Sequence, residues 1–263
     1  MRKQFFLLLI FVGMWVVAWP YNNTYAVIVG VADYKNDDCA EDRPYNYNNA
    51  MAVYNFLTSK KGGSVPAANI CLLLDSQATK NNIIYQAKAI FAKAKKNDRV
   101  VFYFGGHGGE GCFTPYDFNG FYESTLTYGD VKSIFQSAKC NTKLLFADAC
   151  YSGGIKEKAQ KTLAKSKKEP QTTTDKMNIA VMVASKADEY SWCSSDIQMS
   201  VFTYYLIEGL GGAANTDGNK YVTIQELYYY VYHKVLEKTK YYEMQQTPQL
   251  FGKFDLRLIV ANV

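Results

Sequence analysis

A thiol and an imidazole stand 43 positions apart in this 263-residue chain, each at the end of an apolar run and each beside glycine. His107 lies within Gly105-Gly106-His107-Gly108-Gly109, and Cys150 within Asp148-Ala149-Cys150-Tyr151-Ser152-Gly153-Gly154. A thiolate is a strong nucleophile and imidazole titrates near neutrality, so the two together suit attack on a carbonyl carbon. In that chemistry His107 takes the thiol proton and later protonates a leaving amine. The backbone N–H groups of Gly108 and Cys150 would stabilise the oxyanion, a contribution of about 3 kcal/mol in enzymes where one such donor has been removed. Taken singly, a cysteine is more often a small buried apolar residue, and a histidine among glycines serves a turn. It is their joint occurrence that favours chemistry. The sequence names no third group that would orient His107.

Something must bring the two together. Tyr25 to Val31, Ile70 to Leu74, Val100 to Phe104, Lys143 to Ala147 and Ile179 to Ala184 read as strands buried on both faces. Asn48 to Leu57, Thr79 to Ala94, Tyr128 to Gln136, Val201 to Leu210 and Thr223 to Lys238 carry helical spacing, with Thr79 and Thr223 as N-caps and Glu226 completing a capping box. Strands alternating with helices predict an α/β fold, an αβα sandwich around a mostly parallel central sheet. In such sheets catalytic groups collect at the carboxyl ends of strands, where His107 and Cys150 fall.

Phe104-Gly105-Gly106-His107-Gly108-Gly109 followed by Asp148-Ala149-Cys150-Tyr151-Ser152-Gly153 resembles the caspase-like cysteine peptidases, in particular their metacaspase and bacterial orthocaspase branch. Tyr47-Asn48-Asn49-Ala50, Val201-Phe202-Thr203-Tyr204 and Gln246-Thr247-Pro248-Gln249 extend the resemblance over most of the chain. It implies a cysteine endopeptidase with Cys150 as nucleophile, His107 as base and Gly108 as oxyanion donor, acting on peptide or protein substrates. It also implies a larger half to about residue 154, a linker over 155–177 and a smaller half over 178–263. Asp148 takes the place of the acidic residue at the floor of the first specificity pocket. Asn49 stands where metacaspases carry a pocket aspartate, and Asp188 is the candidate to replace that charge.

Asp148 also has a reading of its own. In an extended strand positions i and i+2 share a face, which would put its carboxylate a few ångströms from the attack point. Opposite charges about 4 Å apart attract by roughly 4 kcal/mol at an effective dielectric near 20. Arginine or lysine at the cleaved position is therefore expected. The competing reading has Asp148 capping a turn.

The formal net charge is +5, too mild to imply a nucleic-acid partner. Its distribution is more informative. Arg2 and Lys3 precede an apolar run from Phe5 to Val17, with a cut expected after Ala18. That pattern is a secretory signal peptide over 1–18, too short to span a bilayer, and predicts an exported protein with no stable membrane span once it is removed. The second cluster is the linker, where Lys156, Lys158, Lys161, Lys165, Lys167, Lys168 and Lys176 outnumber Glu157, Glu169 and Asp175, a local charge of +4. These seven lysines are candidate self-cleavage sites for an acidic pocket; an uncut surface loop is the alternative.

Several signals lead elsewhere and fail. Gly106 to Gly111 spells a dinucleotide-type glycine pattern, but Cys112-Phe113-Thr114-Pro115 is a poor helix start. Aligning Gly218 to a calcium loop puts Ala213 and Ile224 where acidic ligands belong. The resemblance implies calcium activation in many relatives, yet Asp117, Glu123 and Asp130 are too sparse to assign a site. The chemistry itself requires no metal or other cofactor. Six cysteines without a C-x-x-C pair, and only two histidines, suit neither a disulfide scaffold nor zinc. The sequence sets no oligomeric state. An inert binding module of the same fold, and a transpeptidase using the same thioester, remain open.

Overall fold

Branched and aromatic residues crowd the runs that read as strands, and those runs join in one sheet. The computed structural model describes residues 21–150 and 179–263, excluding the side chain of Cys150. The signal-like segment 1–18 and the seven linker lysines lie outside the described residues.

Strand β1 (Thr24–Gly30) leads through a loop to α1 (Tyr45–Thr58), β2 (Ile70–Leu74), α2 (Lys80–Phe91) and β3 (Arg99–Gly109). A tight hairpin joins β3 to β4 (Cys112–Phe113), which pairs with β5 (Leu126–Thr127); α3 (Tyr128–Gln136) and β6 (Thr142–Cys150) follow. After residue 178 come β7 (Ile179–Val183), a short hairpin of β8 (Cys193–Ser194) and β9 (Met199–Ser200), then α4 (Val201–Glu208). The chain closes with β10 (Tyr221–Thr223), α5 (Ile224–Tyr241), β11 (Gln249–Phe251) and β12 (Ile259–Asn262).

The sheet runs in the order β11-β7-β6-β3-β1-β2. Its neighbours are parallel except β11, which pairs antiparallel with β7 at the edge. Alternation along each strand feeds two cores. Ile28, Tyr103 and Phe146 pack with Val53, Phe202 and Leu227 from α1, α4 and α5. Val29, Phe102 and Leu145 pack on the opposite face with Phe91 of α2 and Phe135 of α3. The result is the expected αβα sandwich. No helix among the described residues is long and apolar enough to cross a membrane.

Local signals set the helix starts. Thr79 accepts from the Asn82 N–H, and Thr223 with Glu226 forms the expected capping box. Thr127 and Asp130 form another at α3, where Asp130 also pairs with Lys80 at 3.5 Å. Asp117 accepts from the Lys80 N–H at 2.8 Å. Two of the three acids weighed for calcium thus serve helix N-termini, each such contact worth about 1 kcal/mol.

The strands differ from expectation where it matters most. β3 and β6 do not stop before the glycines: their parallel register continues through Gly105↔Asp148 and Gly106↔Ala149 to His107↔Cys150. Glycine lacks a side chain but keeps both backbone hydrogen-bonding groups, so the ladder proceeds.

At the opposite end of β3, Arg99 is buried. Its Nε donates to Thr24 Oγ1 and its Nη1 to the Val260 carbonyl, while the guanidinium carbon lies 3.9 Å from the centre of the Tyr21 ring. This side chain ties the start of the sheet to the C-terminal strand. An Arg99→Ala variant should lose about 2–4 kcal/mol of stability through a cavity and orphaned acceptors. A thermal melt will show the drop, with activity at 20 °C unchanged.

Candidate active site

His107 lies near the end of β3, two residues before its last, and is 1% exposed. Its Nε2 lies 2.7 Å from the carbonyl oxygen of Glu41. A carbonyl can only accept, so Nε2 carries the proton and, in the neutral ring, Nδ1 keeps the lone pair. Here is the orienting group that the sequence does not name. It is a backbone atom, for which residue type carries no signal.

Tyr34 supports the ring from the side. The two rings stack with centroids 5.2 Å apart, and the Tyr34 hydroxyl accepts from the His107 N–H at 2.8 Å and donates to the Thr114 carbonyl at 3.4 Å. Burial pushes the Tyr34 phenol far above its ordinary range, opposed in part by its bond to the His107 N–H. It therefore remains a neutral hydroxyl and acts as a prop rather than an acid or base. A Cβ on Gly106 would come within 2.9 Å of that hydroxyl, which is why this position needs glycine.

Cys150 ends β6 as the register partner of His107. Gly108, the oxyanion candidate, follows His107 directly and faces Phe113 in the β3/β4 hairpin. Of the other thiols, burial raises that of Cys112 to about 11 and also raises those of Cys71 and Cys140. These three have few thiolates at neutral pH and are poor nucleophiles.

Asp148 lies two residues before Cys150 and is 3% exposed. It caps no turn. Its Oδ1 accepts from Ser191 Oγ at 2.6 Å, and its Oδ2 accepts from the hydroxyls of Ser200 and Thr203. The donors are themselves held: the Thr203 N–H donates to Ser200 Oγ at 3.2 Å, and Tyr103 Oη lies 2.7 Å from Thr203 Oγ1. Since Thr203 gives its proton to Asp148, the tyrosine is the donor in that last pair. Burial and the nearby Asp148 charge hold the Tyr103 phenol well above its usual range. Among the described residues no cation forms an ion pair with Asp148.

Asn49 is fully buried beside this cluster. Its Oδ1 accepts from the Ser200 N–H at 2.9 Å, and its Nδ2 donates to Asn46 Oδ1 at 3.3 Å. It therefore fixes one wall residue from α1. Asp188 is not brought in: it is exposed in the turn after β7, whereas its neighbour Glu189 is the buried acid and binds Thr247. Arg43 donates from Nη2 to the Ser191 carbonyl at 3.1 Å. Ser191, Ser200 and Thr203 escape sequence reasoning because hydroxyl residues are common. Only the Ser200/Thr203 spacing, an N-cap with its third helical residue, hints at a fixed geometry.

A parallel α/β sheet whose two central strands deliver a histidine and a cysteine to the same edge is the arrangement of the caspase-like peptidases. The chain belongs to that family of cysteine peptidases, the family model "Caspase domain" matching residues 23–257. It is 29% identical over 150 residues to a probable protease of a Desulfuromonadales bacterium, an alignment taking in 48% of this chain and 18% of that one. The chain thus spans a minor part of that relative's length. It also superposes on the crystal structure of protein GSU0716 from Geobacter sulfurreducens with a TM-score of 0.62, at 14% identity, over 90% of this chain and 97% of that one. That likeness is one of fold.

Proposed function

We propose that this chain is an exported endopeptidase that hydrolyses peptide bonds after arginine or lysine, with Cys150 as nucleophile and His107 as base. The Asp148 cluster carries this reading. A carboxylate removed from water and met, among the described residues, by neutral hydroxyls gains most from a cation, and a guanidinium or ammonium supplies both charge and donors.

In the proposed reaction Nδ1 of His107 accepts the Cys150 proton, and the thiolate adds to the carbonyl carbon. The tetrahedral oxyanion is met by the N–H groups of Gly108 and Cys150. The C–N bond then breaks as the imidazolium protonates the leaving amine. Water, deprotonated by His107, attacks the thioester; acid and free thiol are released. Throughout, the Glu41 carbonyl holds the Nε2 proton and so keeps Nδ1 available.

The same specificity would make the linker a substrate. Purified wild type is expected to show cuts after one or more of Lys156, Lys158, Lys161, Lys165, Lys167, Lys168 and Lys176 by mass spectrometry, and a Cys150→Ala protein none. An intact linker in active wild type removes self-processing from the proposal. For the primary specificity, a peptide panel ending in Arg, Lys, Asn or Asp is the test. Cleavage confined to Asp would overturn the role given to Asp148.

A further inference from the structure

The segment Gln246-Thr247, near the C-terminus, does no chemistry in the proposed reaction, yet its side chains are buried and saturated against the Asp148 pocket. Gln246 Oε1 accepts from the Trp192 N–H at 3.0 Å, and Nε2 donates to the Ala184 carbonyl at 3.0 Å and to Ser191 Oγ at 3.5 Å. These partners fix the amide's orientation, because an N–H must meet the oxygen and a carbonyl must meet the nitrogen. Thr247 adds a second hold on the same loop: its N–H and hydroxyl donate to Glu189 at 2.6 and 2.9 Å. The Gln245 carbonyl also accepts from the Trp192 indole at 3.3 Å.

We propose that Gln246 is a positioning residue for primary specificity: it directs the Ser191 hydroxyl at Asp148 and fixes the pocket wall that Ser191 and Trp192 form. A hydroxyl has one proton and two lone pairs. With Gln246 donating to a lone pair of Ser191 Oγ, the proton is turned to Asp148 Oδ1, where it is found at 2.6 Å. The amide does not touch substrate and acts only through this wall. The inference rests on Asp148 being the pocket for a basic side chain.

Its test separates the two ideas. In Gln246→Leu, kcat/KM for an arginine-ending peptide should fall about 5- to 30-fold, from the loss of one or two neutral hydrogen bonds that hold the wall. The loss should lie in KM. The rate of Cys150 alkylation by iodoacetamide should keep its wild-type pH profile, and a peptide with norleucine in place of arginine should be little affected. In a Ser191→Ala background the same substitution should have a markedly smaller effect. Gln246→Glu, which keeps the acceptor for Trp192 but loses both donors, provides the second variant if Gln246→Leu does not fold, with the same expectation for KM.

Equal losses in kcat, alkylation and norleucine turnover would mark a general structural role and overturn the inference. So would an unchanged arginine KM in a folded variant. If selectivity for arginine collapses in Asp148→Asn yet stands in the Gln246 variants, only this inference fails. A wild type with no preference for basic residues overturns the pocket reading and the inference together.

Discussion

A Cys150→Ala protein should cleave the best peptide substrate about 10⁴- to 10⁶-fold more slowly than wild type, the scale on which loss of a nucleophile acts in other covalent peptidases. Three of the other thiols are poor substitutes. Those of Cys71, Cys112 and Cys140 are raised by burial, and that of Cys112 lies at about 11. His107→Ala should be nearly as severe, and the double variant little worse than either alone, since nucleophile and base act as one unit. Stability should change little in the cysteine variant, because it removes a single sulfur. Purified proteins assayed on an arginine-ending peptide amide supply the measurement. Residual activity within tenfold of wild type in Cys150→Ala would refute Cys150 as the nucleophile.

The second large effect belongs to Asp148→Asn, which preserves shape and removes charge. An ion pair at about 4 Å contributes roughly 4 kcal/mol at an effective dielectric near 20, so kcat/KM for arginine and lysine peptides should fall about 10³-fold. Turnover of a norleucine peptide should stay within a few-fold. Folding should tolerate the change: the hydroxyls of Ser191, Ser200 and Thr203 can rotate to meet an amide oxygen or nitrogen. If basic and neutral peptides lose activity equally, Asp148 is a structural anchor and the specificity proposal fails. Ligated products in a reaction with two peptides would instead place the chemistry with transpeptidases, while leaving the Cys150 thioester intact as an idea.

The strands and helices were legible because buried parallel strands are continuous apolar runs and helices are punctuated by caps. Ile70–Leu74 and Tyr128–Gln136 fall where the periodicity places them. Other ends moved: α4 stops at Glu208, where Gly209 begins an irregular turn, and α1 starts at Tyr45, directly after Pro44. The short strands β4, β5 and β8 to β12 were missed, since two to four residues carry no period. For His107 the position was readable and the environment was not. Its orienting carbonyl and stacked tyrosine come from a loop some seventy residues upstream.

By itself the sequence determined which residue types could react, that they follow the carboxyl ends of two apolar runs that read as strands, and that an acid precedes the nucleophile by two positions. Those properties are local, written in residue identity, hydrophobic period and glycine. The tertiary structure alone decided what Asp148 meets, that Asn49 braces Ser200, that Asp188 faces solvent, and that Gln246 bonds Ser191 and the Trp192 N–H. Such contacts join segments separated by some forty to one hundred and fifty residues. Only the packing of α1, α4 and the β7–β8 loop onto one face of the sheet brings them within hydrogen-bonding distance.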